Sequence, residues 1–259
     1  MPANYAHYRF GKLALPKLPA EARQCISRFR RLYDIGLHGP DIFFYYNPAI
    51  DTAVGQLGHS YHTHSGQLFF SEACKKADSE AAKAYLLGVL GHYCLDSACH
   101  PYVNQLVSIG EVRHIAIESQ LERRLLLLDG VRSPETFDMS KRFRLTRGEC
   151  MTVAEFYPPA TGANVSQSVK HLAWCTHSLA SPNRQWRWKL LHRIKPELCD
   201  IFIPAEDDED CVLYVDELVT LYNEALNRYP EMTAQLLAHL KDGTELGEDF
   251  LPSFDPHND

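Results

Sequence analysis

His92 and Asp96 stand four residues apart in a segment patterned as a helix, and His114 and Glu118 repeat the interval in the next one. Residues i and i+4 leave a helix on one face, one turn apart, so each pair can grip a single cation. His100 follows the first pair by a further turn. Eight of the thirteen histidines (His7, His38, His59, His62, His64, His92, His100 and His114) precede residue 115, which concentrates metal-ligating side chains in the first half of the chain. Imidazole and carboxylate without thiolate suit zinc, and the donors outnumber what one tetrahedral ion takes, so more than one metal is implied. Asp41, just after Gly39-Pro40, is a further carboxylate placed to bridge or cap such ions. An isolated His-carboxylate pair on a helix is more often an exposed hydrogen-bonded pair. Two pairs with a turn histidine between them move the balance toward metal. The polar tract Gly58-His59-Ser60-Tyr61-His62-Thr63-His64 reads as a loop from which one histidine is expected to be a ligand. His38, His171, His177, His192 and His239 lack comparable partners and read as surface or core residues.

These side chains need helices to hold them, and the hydrophobic spacing supplies helices. Residues 20–35 place Cys25, Ile26, Phe29 and Leu32 at helical intervals, with Gly36 as a stop. A Pro- and Gly-punctuated aromatic stretch runs through Asn47-Pro48, and 66–78 and 79–99 follow as helices. Pro101 disfavours helical geometry in the residue before it, so the second of these is expected to end near Cys99, with His100 in the exit turn. Residues 111–128 form the next helix, 133–165 read as irregular, and helical patterns resume at 165–180 and 184–194. The acidic run 206–210 precedes a final helical pair broken at Pro230. Alternating strand patterns are nearly absent, which makes the expected fold class all-α. One helical metal-binding domain over 1–200 is expected, with a C-terminal helical extension over 201–259 packed on it.

Composition narrows the function classes. The 259 residues carry a net charge of −7. That balance argues against binding nucleic acid by bulk electrostatics, which needs clustered Lys and Arg. The eight cysteines include no CxxC pair, so neither a zinc ribbon nor a thioredoxin-type centre is indicated, and free, buried thiols are expected. The N-terminus shows no charged n-region and apolar h-region, and no stretch reaches membrane-spanning length, so the cytoplasm is the expected compartment. Phe43, Phe44, Tyr45 and Tyr46 offer rings for a quaternary ammonium or a glycerol edge, although packing accounts better for at least two of them. Trp186-Arg187-Trp188-Lys189 suits transient contact with a membrane surface, but a helix alternating core and surface positions is the expectation.

The run Gly91-His92-Tyr93-Cys94-Leu95-Asp96-Ser97-Ala98-Cys99-His100-Pro101 resembles the HxxxD helix and following ligand histidine of the zinc-dependent phospholipase C family. His114 and Glu118, fourteen and eighteen residues after His100, match that family's HxxxE pair. The resemblance covers roughly residues 1–125 and implies a multi-helix bundle with three metal ions in one cleft. It would place Asp41 and a histidine of the 59–64 tract with His92 and Asp96 on one zinc, and His100, His114 and Glu118 on a second. His7 would hold a third, sharing Asp96. In secreted members the N-terminal residue completes that third site, a part that Met1 or a trimmed Pro2 would take here. Within the 59–64 tract the spacing to Phe69-Phe70 resembles the family's loop best for His62, with His59 and His64 as alternatives.

The resemblance implies a zinc-dependent phosphodiesterase, with two or three ions, acting on a phospholipid or related phosphodiester by metal-activated water. Asp41 would be the catalytic carboxylate that assists proton removal. A nuclease-like relative is the alternative within the enzymes, weakened by the low basicity. A metal-binding or interaction protein without turnover is the alternative outside them.

Overall fold

The computed structural model describes residues 3–181 and 184–256. Eleven α-helices carry the described fold, and the only extended pairing among the described residues is an isolated bridge between Ser65 and Ser253. In chain order they are α1 (Asn4–Ala14), α2 (Ala20–Arg28), α3 (Arg30–Gly36), α4 (Ala53–His62), α5 (Gly66–Cys74), α6 (Glu80–Ser108), α7 (His114–Leu128), α8 (Arg147–Glu155), α9 (Gly162–Ala180), α10 (Arg184–Ile194) and α11 (Val212–Asp242). Side-chain caps start several of them. Thr52, Ser65 and Ser79 accept from the backbone N–H three residues on in α4, α5 and α6, and Thr146 with Glu149 closes a capping box on α8.

Helix α6 is the axis of the molecule. It is buried from Ala82 to Leu106 on most of its surface, so it is apolar nearly all round rather than along one stripe. Helix α3 crosses it through two glycines. A Cβ on Gly36 would lie 2.3 Å from the Tyr85 carbonyl oxygen, and one on Gly88 would lie 2.3 Å from that of Tyr33. Helix α11 lies along the other side. Tyr229 donates to the Leu87 carbonyl at 2.6 Å, and Arg228 donates to the Cys94 carbonyl and the Ser97 hydroxyl. Tyr222 of α11 also reaches the Ala6 carbonyl of α1, so the C-terminal helix shares one hydrophobic core with the N-terminal half.

The structure departs from the sequence expectations at several boundaries. The expected helix over 20–35 is two helices, because Phe29 (φ −124°, ψ 42°) breaks the rod without a glycine or proline to mark it. Helix α6 does not end near Cys99 but runs on through Pro101 to Ser108, and α11 is one helix through Pro230 rather than a broken pair. An interior proline costs about 3 kcal/mol. In two helices of 29 and 31 residues, packed on each other, burial outweighs that cost. The stretch 133–165 contains α8, and the tract around 59–64 is not a loop, since His59 and His62 lie on α4. No described cysteine is in a disulfide, and Cys25, Cys94, Cys99, Cys150 and Cys211 are buried.

Candidate metal centre

Four elements deliver the first group of side chains. His7 comes from α1, Asp41 from the 3-10 turn Gly39–Tyr45, His62 from the last position of α4, and His92 with Asp96 from the middle of α6. The turn that carries Asp41 depends on Gly39, whose φ is +47° and whose Cβ would strike the His92 ring at 2.4 Å. One donor atom from each of His7, Asp41, His92 and Asp96 lies within 4.8 Å of all the others, and all four residues are buried.

Asp96 is the hub of this group. Its carboxylate oxygens stand 3.2 Å from His7 Nε2, 3.2 Å from His92 Nε2 and 3.9 Å from His62 Nε2. His62 Nε2 lies 3.0 Å from Asp41 Oδ1. Its other nitrogen, Nδ1, stands 2.6 Å from the Gly58 carbonyl, which can only accept, so Nδ1 carries the proton and Nε2 is left to face the carboxylates. The structure thus brings His62 against Asp41. His59 instead packs on Phe44 and His64 on Tyr61.

The second group lies further along α6. His100, two turns after His92, meets His114 and Glu118 of α7, again with donor atoms within 4.8 Å. Glu118 Oε1 is 3.1 Å from His114 Nε2 and 3.6 Å from His100 Nε2. Because α6 continues through Pro101, His92, Asp96 and His100 fall at i, i+4 and i+8 on one face, and the two groups are neighbours on a single rod.

Charge and hydrogen bonding distinguish this arrangement from ordinary buried ion pairs. Both ring nitrogens of His92, and Oδ2 of Asp96, are buried without a hydrogen bond, even though Nε2 and Oδ2 are 3.2 Å apart. Close approach without hydrogen-bond alignment is what lone pairs aimed at a common point produce, and buried polar atoms are rarely left this way. Burial pushes the His92 imidazole down to about 4, against the pull of Asp96 and Asp41, so it is neutral with a free lone pair near pH 7. Burial would raise the Asp96 carboxyl, but His92, His100 and His7 hold it far below the usual carboxylate range. The buried Glu118 carboxyl is likewise held down, with His114 and His100 beside it. A neutral His92 imidazole beside ionised carboxylates, with no thiolate in the group, fits zinc.

Three further groups at the site escaped the sequence expectations. His38, read there as a surface or core residue, is buried with its ring 6.3 Å from His7. Burial, with His7 and His92 nearby, holds its pKa well below 6.5. Its position three residues before Asp41 was the available signal. Glu122 lies one turn beyond Glu118, so the i, i+4, i+8 series from His114 contained it. It accepts from the N–H groups of Tyr5 and Ala6 and so ties the start of α1 to α7, and burial pushes its carboxyl up to about 8. Asp255 carried no signal. The segment after α11 folds back over the site, with Pro252 accepting from Gly66 and Asp255 donating its N–H to the His62 carbonyl. Phe254, fully buried, sits against Tyr93 and within 6.1 Å of the His62 and His92 rings. Asp255 Oδ1 then lies 3.3 Å from His100 Nδ1 and accepts from Asn104. Met1 and Pro2, the expected partners of His7, lie outside the described residues.

An all-α chain built round two adjoining groups of imidazoles and carboxylates has a core suited to holding metal ions. The family model described as zinc dependent phospholipase C matches residues 6–155, more than half of the chain, and the protein belongs to that family. The matched span contains every residue of both groups and excludes α9, α10, α11 and Asp255. No curated protein and no solved structure matches the chain.

Proposed function

We propose that the protein is a zinc-dependent hydrolase that cleaves a phosphodiester bond of a phospholipid. The observation that carries this reading is the buried group of His7, Asp41, His92 and Asp96, where His92 and Asp96 aim unaligned lone pairs into the group, with His100, His114 and Glu118 assembled beside it between α6 and α7. Asp41, His62, His92 and Asp96 would hold one zinc, and His100, His114 and Glu118 a second. His7 would hold a third with Asp96 shared. Bound zinc supplies a water of lowered pKa and positive charge for the phosphoryl oxygens. Asp41 has the geometry to take the proton from the attacking water, since its carboxylate faces the group with no other hydrogen bond. Phe254 and Phe44 close apolar surface around the His62 ring and keep bulk water from it.

Support for a lipid comes from a cavity of about 570 Å³ beside the groups. Its wall is mostly apolar, with Phe44, Tyr45, Phe137, Trp174 and Leu191 among its residues. Ile115 and Glu122 of α7, which bracket His114 and Glu118, form its side toward the candidate ligands. A concave, largely apolar pocket with a few polar groups is what binding a small amphiphile needs.

The protein loaded with zinc is expected to contain two or three ions per chain. It should turn over phosphatidylcholine and bis-p-nitrophenyl phosphate in preference to single-stranded DNA. Elemental analysis finding one ion or none sinks the metal assignment, and faster cleavage of DNA sinks the lipid one. Asp255 tests the outer contacts of the same centre. A carboxylate on the far nitrogen of a ligand histidine fixes its orientation, and losing such a partner typically weakens metal binding 10–100-fold. Asp255→Ala should therefore release one zinc per chain at about 10–100-fold lower chelator concentration, with an unchanged helical circular dichroism spectrum. Equal chelator resistance would remove Asp255 from the site.

A further inference from the structure

We propose that α10 is a docking helix that seats this protein on an anionic phospholipid surface. Of the eleven helices described, α10 is the one that buries no residue. The expectation that it alternates core and surface positions is therefore not met. Apart from Leu191, its apolar side chains are exposed. Trp186, Leu190 and Ile194, spaced i, i+4, i+8, form one stripe and are 66%, 45% and 70% exposed. Lys189 and Arg193 flank that stripe at the intervening i+3 positions and are exposed as well.

Charge says what covers this face. From Arg184 to Lys195 the chain has Arg184, Arg187, Lys189, Arg193 and Lys195 and no Asp or Glu, within a protein whose net charge is −7. A short helix with an apolar stripe bordered by cations lies in the plane of a membrane interface, the stripe among the acyl boundary and the cations at the headgroups. All three tryptophans of the chain, Trp174, Trp186 and Trp188, are exposed, at 65%, 66% and 40%. Indole rings favour the headgroup region, where one side is apolar and the other wet. A second copy would set this cationic face against its own like charge, and a stable protein interface buries about 800 Å² per partner, more than a three-turn stripe supplies.

The helix also connects that surface to the cavity. Arg187 donates to the Ser178 carbonyl and the Ser181 hydroxyl, and Arg184 donates to the Ile203 carbonyl, which pins the inner side of α10 to its neighbours. Arg187 and Leu191 on that inner side line the 570 Å³ cavity, and so does the exposed Trp174. Docking α10 would bring the cavity and its metal centre to the source of a lipid substrate. That consequence rests on the phospholipid reading above, whereas the docking itself needs no turnover.

Flotation with vesicles tests it. The intact protein is expected to float with vesicles of phosphatidylcholine containing phosphatidylserine, to bind pure phosphatidylcholine more weakly, and to shift its tryptophan emission to the blue. The triple variant W186A/L190A/I194A should bind the anionic vesicles at least tenfold more weakly while hydrolysing bis-p-nitrophenyl phosphate at the wild-type rate. The charge variant K189E/R193E should lose the preference for anionic vesicles. Failure of the intact protein to float, or equal flotation of the triple variant, overturns the proposal. So does a wild-type dimer in light scattering that the triple variant converts to monomer. Vesicle binding without any phosphodiester turnover would uphold the docking helix and refute the enzymatic reading.

Discussion

Asp96→Asn is expected to lower turnover of a soluble phosphodiester by roughly 10³-fold and to remove at least one zinc per chain. The substitution keeps the shape of the side chain and removes its charge, so the effect is electrostatic rather than a packing loss. Among the described residues, Asp96 is the one carboxylate within 4 Å of three imidazoles, those of His7, His62 and His92. An amide offers a single neutral oxygen in place of two anionic ones, and its NH2 would point a donor at a histidine lone pair or a cation. His239→Ala is the control. His239 lies near the end of α11, bonded to the Thr244 carbonyl, and its loss should leave zinc content and turnover unchanged. Elemental analysis and a spectrophotometric assay on both variants decide the matter. Full zinc and wild-type turnover in Asp96→Asn would show that the α6 face is not the metal site.

The two helix-borne pairs were legible in the sequence because i, i+4 spacing is a local property. Once 80–108 and 114–128 are helical, His92 with Asp96 and His114 with Glu118 must share faces. What joins the pairs was less legible. Pro101 argued for a helix end at a place where burial keeps α6 continuous, and that continuity is what aligns His100 with His92 and Asp96. His38 and Asp255 reach the site through tertiary packing, Asp255 from more than 150 residues away along the chain, where no spacing rule applies. The stripe on α10 marks another limit. Trp186, Leu190 and Ile194 repeat at the interval of a core-facing helix, and periodicity states that a stripe exists without stating whether protein or solvent lies against it.

Gly88→Ala is expected to destabilise the protein by about 3 kcal/mol, which for a chain of this size lowers the melting temperature by roughly 10 °C. In an ordinary exposed helix the same change would stabilise by reducing backbone freedom in the unfolded chain. Here the added methyl would stand 2.3 Å from the Tyr33 carbonyl oxygen and 2.8 Å from the Gly36 Cα, both backbone atoms that no rotamer change can move. Relief requires α3 to slide away from α6. Helix α3 runs directly into His38, Gly39 and Asp41, so the slide would draw Asp41 away from His62 and His92, now 3.0 and 4.0 Å from it. The loss of stability should therefore come with weaker zinc binding, although Gly88 touches none of the candidate ligands among its nearest neighbours. Gly148→Ala in α8, where a Cβ meets nothing within 4 Å, should stay within about 0.5 kcal/mol of wild type. Thermal unfolding of both variants, with and without added zinc, separates the outcomes. A Gly88→Ala protein that melts with the wild type and keeps its metal would mean that the glycine contact between α3 and α6 does not position Asp41.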